Sequence, residues 1–229
     1  MSSQNRHQDF LHAAQELAGR LAAEEGVVGV LLVGGVARGH ADQWPELDLA
    51  VYLTTPAFEK WTRHGQAPFP EGDSLLGGWH VDMDYLCFDA EKAAEWEHTK
   101  RWDRSYALAL HDPQRLLANL VASKARLGQE EKDRLAMHHL MDYGEFFCDV
   151  VAPSWLQRGD LLAAHQSLNI ALDHLVKAVF LANDELIPFE KWSLNLSYTL
   201  PWIPKRWKEK VEQAPVSYTH LTLPTNREV

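Results

Sequence analysis

A chain of 229 residues with 46% apolar side chains is long enough to bury one large core or two small ones. Its formal net charge of −10 argues against general nucleic-acid binding, which depends on clustered Lys and Arg side chains. The sequence lacks both an apolar run of roughly 18 residues, which a membrane span needs, and an N-terminal secretory signal, so we expect a cytoplasmic protein that does not enter the membrane.

The first half of the chain alternates between helix and strand signals. Apolar residues from Phe10 to Ala22 recur at three- and four-residue steps and predict a first helix, which Gly26 ends. The apolar run Val27 to Val33 predicts a buried strand, and strict alternation from Leu47 to Leu53 predicts a second one. The same criteria predict a helix around Ala57 to Arg63, a strand from Trp79 to Phe88, a helix from Glu91 to Trp102 capped by Asp89, and a short strand from Ser105 to Leu110.

The second half of the chain is predicted to be helical. Helical stretches follow at Gln114 to Leu127, Gln129 to Val151 and Leu161 to Asn183, without a further strand signal. We therefore expect a sheet-containing domain at residues 1–112 and a helical bundle at residues 113–215. Residues 216–229 break the helical pattern and resemble a translated sequencing adapter, so we expect a non-native tail there.

Pairs of carboxylates lie on two of the predicted strands. Glu46 and Asp48 stand two positions apart, so their side chains leave the same face of a strand. Like charges at that distance repel each other, and a bound Mg²⁺ would relieve the repulsion. Asp82 and Asp84 share one face of the next long strand, and they would join the first pair if the two strands are neighbours. Three acids can hold two metal ions, which suits phosphoryl or nucleotidyl transfer.

A glycine pair precedes these acids at the end of the first predicted strand. Gly34 and Gly35 lack a Cβ, which lets backbone N–H groups approach a phosphate closely. Arg38 follows in the same turn. Its guanidinium could bind phosphate oxygens, or it could form a salt bridge with an acid of the loop.

The order of these features resembles the DNA polymerase beta-like nucleotidyltransferase superfamily. The shared pattern is an apolar strand, a glycine pair, a short turn with Ala-Arg-Gly, an acid-x-Asp-Leu segment and a third acid on a later strand. That family usually has Ser at the position of Gly35 and Asp at the position of Glu46, while the gap of 11 positions between them (46 − 35) fits. The resemblance runs from Val27 to Trp207, and its specific part is Gly34 to Leu53.

The resemblance implies an α+β fold in which a mixed β-sheet is flanked by helices and followed by a C-terminal helical bundle. It implies that Gly34 and Gly35 hold a nucleoside triphosphate and that Mg²⁺ binds Glu46, Asp48 and Asp82. Asp84 is left as an alternative ligand or a general base. The segment Ala171 to Trp192 resembles the C-terminal domain of antibiotic-type nucleotidyltransferases. This implies that the bundle closes over the nucleotide and the acceptor, that Asn183 and Lys191 face the cleft, and that Lys191 binds the nucleotide.

We therefore expect a Mg²⁺-dependent nucleotidyltransferase that moves a nucleoside monophosphate from a nucleoside triphosphate to a hydroxyl acceptor, such as an aminoglycoside-like antibiotic. A first alternative is an antitoxin-type enzyme that modifies a protein or RNA. A second is a catalytically silent nucleotide-binding module, which the departures at Gly35 and Glu46 suggest. The sequence leaves open the acceptor, the base and the oligomeric state, including a homodimer.

Overall fold

The computed structural model describes residues 6–39 and 46–213, and the predicted non-native tail lies outside these residues. The chain divides after Arg126 into two compact units. The first unit contains α1 (His7–Ala22), β1 (Val27–Val33), α2 (Gly34–Ala37), β2 (Leu47–Leu53), α3 (Thr55–Phe58), a π-helical turn (Glu59–Arg63), β3 (Gly72–Leu76), β4 (Trp79–Cys87), α4 (Phe88–Ala93), α5 (His98–Ser105), β5 (Leu108–His111) and α6 (Leu116–Lys124).

The strands of the first unit form one five-stranded sheet in the order β3-β4-β2-β1-β5. Strands β2 and β4 run parallel, and the other neighbouring pairs run antiparallel. Helices flank this mixed sheet, so the predicted α+β class is confirmed.

The alternation along β2 separates two apolar layers and sets the register of the sheet. Leu47 and Leu49 pack in one layer with side chains of α1, whereas Ala50 and Tyr52 pack in the other layer. Burying each large apolar side chain contributes about 1.5 to 3 kcal/mol. A shift of one residue would exchange the faces and drive Asp48 into the layer against α1, so the apolar pattern fixes where Asp48 points.

One strand of the sheet was not predicted. Strand β3 (Gly72–Leu76) lies between the π-helical turn and β4, in a segment for which the sequence predicted no regular element. Gly77 and Gly78 both have positive φ, 59° and 86°, which suits a two-residue turn between β3 and β4. The strand is short, lies at the sheet edge and is only partly buried, so its apolar pattern is weak.

The single helix predicted from Glu91 to Trp102 is wrong. Helix α4 ends at Ala93, Ala94 is extended, and α5 begins only at His98. The break lets Trp96 turn into the apolar layer that also contains Tyr52. The predicted cap is also wrong, because Cys87 is the N-cap of α4, and Asp89 lies in its first turn and accepts a hydrogen bond from the Thr55 hydroxyl.

The first unit extends past the predicted boundary at Asp112. Leu117 and Leu120 of α6 pack against Leu31 of β1, so this helix covers the sheet although the sequence analysis grouped it with the helical half. The domain limits at residues 112 and 215 themselves stay predictions.

The regular secondary structure in the described part of the second unit is helical. They form α7 (Gln129–Met137), two π-helical segments (His138–Glu145 and Phe147–Val151), α8 (Ala152–Gln157), α9 (Leu161–Ala182) and α10 (Glu190–Ser197). Asp160 caps α9 by accepting a hydrogen bond from the Ala163 N–H at 2.9 Å. On α9, Val176 and Phe180 pack against Trp207 in a small core. Across the described parts of the chain, the helices are too short or too polar to cross a membrane.

Candidate active site

The pairing of three strands brings the glycine turn and two predicted metal ligands together. Val33, which immediately precedes Gly34, is the register partner of Asp48 in the β1–β2 pair. Asp48 is in turn the register partner of Asp82 in the parallel β2–β4 pair. Register partners on neighbouring strands project to the same face of a sheet. The Asp48 and Asp82 side chains therefore stand side by side, next to the turn.

The Asp48 carboxyl has a raised pKa, which is caused by burial and by neighbouring carboxylates. Its pKa rises from the usual 3.8 to about 7, first because the side chain is largely removed from water. The negative charges of Glu46, Asp82 and Asp103 raise the pKa further, and a hydrogen bond from the Gly35 N–H partly offsets them. Near neutral pH, additional positive charge at this point would therefore stabilise the ionised carboxylate.

Gly34 is required by the position of the Asp48 carboxylate. A Cβ on Gly34 would lie 1.6 Å from Asp48 Oδ2. This distance is far shorter than a van der Waals contact, so a residue with a side chain does not fit here. Gly34 also has a φ of +67°, in the left-handed region that favours glycine. The sequence predicted that this glycine lets a phosphate approach, whereas in the structure its missing side chain makes room for a carboxylate.

Asp103 of α5 connects the glycine turn to two arginines, and the sequence analysis missed it. The Gly34 N–H donates to Asp103 Oδ1 at 3.2 Å, and the Arg38 guanidinium donates to the same oxygen at 2.7 Å. The Arg104 guanidinium donates to Asp103 Oδ2 at 2.6 Å. Asp103 thus holds the backbone of the turn in place. No local motif marks this residue, because only the tertiary fold brings α5 to the turn.

Both arginines are buried, which explains why they share this carboxylate. The side chains of Arg38 and Arg104 are only 8% and 7% exposed, and the Arg38 guanidinium lies 4.5 Å from the centre of the Trp102 ring. A buried charge needs a partner, because its desolvation is otherwise too costly. Of the two roles considered for Arg38, the structure contains a salt bridge to an acid, here on α5 rather than in a loop. Phosphate binding by Arg38 stays a prediction.

The other predicted carboxylates are accessible to solvent. Glu46 directly precedes β2 and is exposed, as is Asp82. Asp84 is the register partner of Ala50 and is 64% exposed, with its Oδ2 3.7 Å from the Arg104 guanidinium. The structure therefore brings Glu46, Asp48 and Asp82 near one another and places Asp84 one step further along the same face.

The residues predicted in the helical half lie in the second unit. Lys191 is exposed in the first turn of α10, with its Nζ 5.7 Å from the centre of the Phe189 ring. Asn183 ends α9 and uses its side-chain amide to donate to the carbonyls of Val179 and Trp202, and its oxygen accepts from the Trp202 N–H. Asn183 thus has a structural task, and contact of Lys191 with a nucleotide stays a prediction.

The acids at the glycine turn fit a hard divalent cation in their chemistry. As their side chains stand, no three His, Cys, Asp or Glu residues within 6–39 and 46–213 converge closely enough to hold a metal ion. Glu46 and Asp82 are exposed, and burial together with the neighbouring negative charges raises the pKa of Asp48. Carboxylate oxygens are the ligands that Mg²⁺ prefers.

Comparison with known proteins finds similarity among solved structures. No protein-family model matches the chain, and no curated protein does. Among solved structures, the chain is similar to a nucleotidyltransferase-like protein from Exiguobacterium sibiricum, with 14% identity, a TM-score of 0.43, and coverage of 92% of this chain and 73% of that one.

Proposed function

We propose that the protein is a Mg²⁺-dependent nucleotidyltransferase that moves a nucleoside monophosphate from a nucleoside triphosphate to a hydroxyl acceptor. One observation carries this proposal. Asp48 and Asp82 are register partners on neighbouring parallel strands, and Asp48 lies directly against Gly34 of the turn. A pair of adjacent carboxylates beside a glycine turn is the arrangement that the sequence resemblance requires.

The carboxylates would hold the metal. Glu46, Asp48 and Asp82 would bind Mg²⁺, which when bound supplies the positive charge that offsets the charge of the triphosphate and of the leaving pyrophosphate. Asp48 would no longer need the proton that its raised pKa favours in the metal-free protein. Glu in place of Asp at position 46 lengthens one ligand by a methylene and keeps its charge and oxygen donors.

The glycine turn would bind the triphosphate. In the structure, the Gly35 N–H donates to Asp48 and the Gly34 N–H donates to Asp103. We propose that Gly35 transfers its hydrogen bond from Asp48 to a phosphate oxygen when the nucleotide binds. Asp103 would keep Gly34 in place during this exchange, since two buried arginines fix its position.

Asp84 would accept the proton of the acceptor hydroxyl. It lies on the face of β4 that carries Asp82, two positions away, and its side chain is open to solvent. Arg104, 3.7 Å from its carboxylate, would orient Asp84. A positioned carboxylate that accepts a proton contributes typically 10²- to 10⁴-fold to a rate.

The proposal is tested by transfer of a labelled nucleoside monophosphate. The protein is incubated with Mg²⁺, each of four α-labelled nucleoside triphosphates and pooled acceptors, alongside the variants Asp48→Asn and Glu25→Gln. Glu25 is the matched control, because it is exposed and lies before the start of β1, at the other end of this strand from the glycine turn. We expect Asp48→Asn to lose transfer by more than about 100-fold and Glu25→Gln to retain it.

The labelled product separates the alternatives for the acceptor. A labelled small molecule supports an antibiotic-type enzyme, and a labelled protein or RNA supports an antitoxin-type enzyme. Nucleotide binding without transfer to any acceptor would identify a silent module and overturn the proposal. Transfer that survives in Asp48→Asn would overturn the role of this carboxylate.

A further inference from the structure

The second unit carries an apolar stripe on a face that no other described element covers. A helical run from Gln129 to Gln157 contains Met137, Met141, Phe146 and Val150, and these four side chains are between 43% and 58% exposed. We call this set the apolar stripe. Large apolar groups grouped on a surface mark interaction sites more often than single exposed apolar residues do.

The helix geometry aligns the four side chains. Their spacings are four, five and four residues. π-helical segments bond residue i to residue i+5, so they need more than four residues for each turn. Side chains spaced by four and five residues therefore point to the same side of the helix. The opposite direction is packed: Leu135, Gly144 and Ala152 are buried, and a Cβ on Gly144 would lie 2.9 Å from Leu175 of α9. The stripe therefore faces away from α9.

Carboxylates border the apolar stripe. Asp142, Glu145 and Asp149 are exposed and each stands next in sequence to a member of the stripe. Asp142 pairs with His138 of the same helix, with Oδ2 2.9 Å from Nδ1. Glu145 and Asp149 form no salt bridge within the described parts of the chain. The surface is therefore apolar along its centre and negative along its border.

We propose that the apolar stripe is a docking face for an amphipathic helix of a partner protein that carries Lys or Arg beside its apolar residues. An apolar helix face buries its side chains against another such face, in the manner of helix-in-groove recognition. Basic residues at the border of the partner would neutralise Glu145 and Asp149. The same charges disfavour a second copy of this stripe, because equal carboxylates would then face each other across the contact.

The docking face is tested with a fluorescently labelled amphipathic helical peptide of leucine and lysine, and with a leucine and glutamate peptide of the same pattern. Binding of each peptide to the full chain, to three double variants and to one single variant is measured by fluorescence anisotropy. The double variant Phe146→Ala with Val150→Ala truncates two side chains of the apolar stripe. The double variant Glu145→Lys with Asp149→Lys reverses the charge at its border. Their controls are Leu162→Ala, an exposed apolar residue outside the stripe, and Glu24→Lys with Glu25→Lys, which changes the net charge equally.

We expect the lysine peptide to bind the parent protein and the glutamate peptide not to bind it. Each stripe variant should weaken binding by about tenfold or more, because truncation of a buried apolar anchor or reversal of a facing charge has effects of this size. Both controls should bind as the parent does. Absence of lysine-peptide binding, or equal weakening by Glu24→Lys with Glu25→Lys, overturns the proposal. So does self-association in sedimentation that Phe146→Ala with Val150→Ala abolishes, since the occupant would then be a second copy.

Discussion

Replacement of Asp48 by Asn should stabilise the metal-free protein at neutral pH. The carboxylate is largely buried among the charges of Glu46, Asp82 and Asp103, which together with burial raise its pKa from 3.8 to about 7. Asn has nearly the same shape, and its side-chain oxygen can still accept the hydrogen bond from the Gly35 N–H. It lacks the negative charge that the fold has to accommodate.

The size of this effect follows from the pKa. A difference of about three units corresponds to about 4 kcal/mol at 1.36 kcal/mol per unit, and partial contact with solvent lowers the expected gain to about 2 to 4 kcal/mol. The folded protein binds the Asp48 proton more tightly than the unfolded chain does. Its free energy of unfolding should therefore fall as the pH rises from about 4 to 7 and stay low above pH 7, and Asp48→Asn should remove this part of the pH dependence.

Urea unfolding in EDTA at pH 5 and pH 8 measures the effect, with the exposed Glu25→Gln variant as the control. We expect Asp48→Asn to be more stable than the parent at pH 8 and closer to it at pH 5, and Glu25→Gln to resemble the parent at both. Mg²⁺ should raise the melting temperature of the parent and have little effect on Asp48→Asn. If Asp48→Asn is no more stable than the parent at pH 8 in EDTA, the destabilisation of the ionised Asp48 carboxylate by burial and by neighbouring negative charges is refuted.

Three further substitutions test the surroundings of the site by urea unfolding and nucleotide binding. Gly34→Ala should cost about 2 kcal/mol or more and weaken nucleotide binding, because its methyl group would overlap the Asp48 carboxylate and its φ is left-handed; parent-like stability would contradict this. Asp103→Asn should cost about 2 to 3 kcal/mol, because it removes the carboxylate that two buried arginines share, and a change below about 1 kcal/mol would contradict this role. Tyr85→Phe removes a buried hydrogen bond to the Phe69 carbonyl and should cost about 1 kcal/mol, with unchanged nucleotide affinity because Tyr85 faces the opposite apolar layer.

The sequence predicted the strongly patterned elements and missed the weakly patterned ones. Strands β1 and β2 have the bounds expected from their apolar runs, because central strands are buried and apolar residues must occupy fixed positions in them. The edge strand β3 was missed, since its apolar pattern is weak and its pairing partner β4 supplies much of its definition. The helix break at Ala94 was missed as well, because burial of Trp96 rather than a local breaker decides it.

The candidate site divides in the same way. Period-two alternation alone determined that Glu46 and Asp48 share one face of their strand and that Asp82 and Asp84 share one face of theirs, because side chains alternate along any strand. Only the tertiary structure decided that β2 and β4 are parallel neighbours in the register that pairs Asp48 with Asp82. It also decided that Asp103 joins the turn and binds Arg38, and that the space left by Gly34 receives a carboxylate. These contacts join residues far apart in the chain, and a local pattern carries no information about which distant segment folds against it.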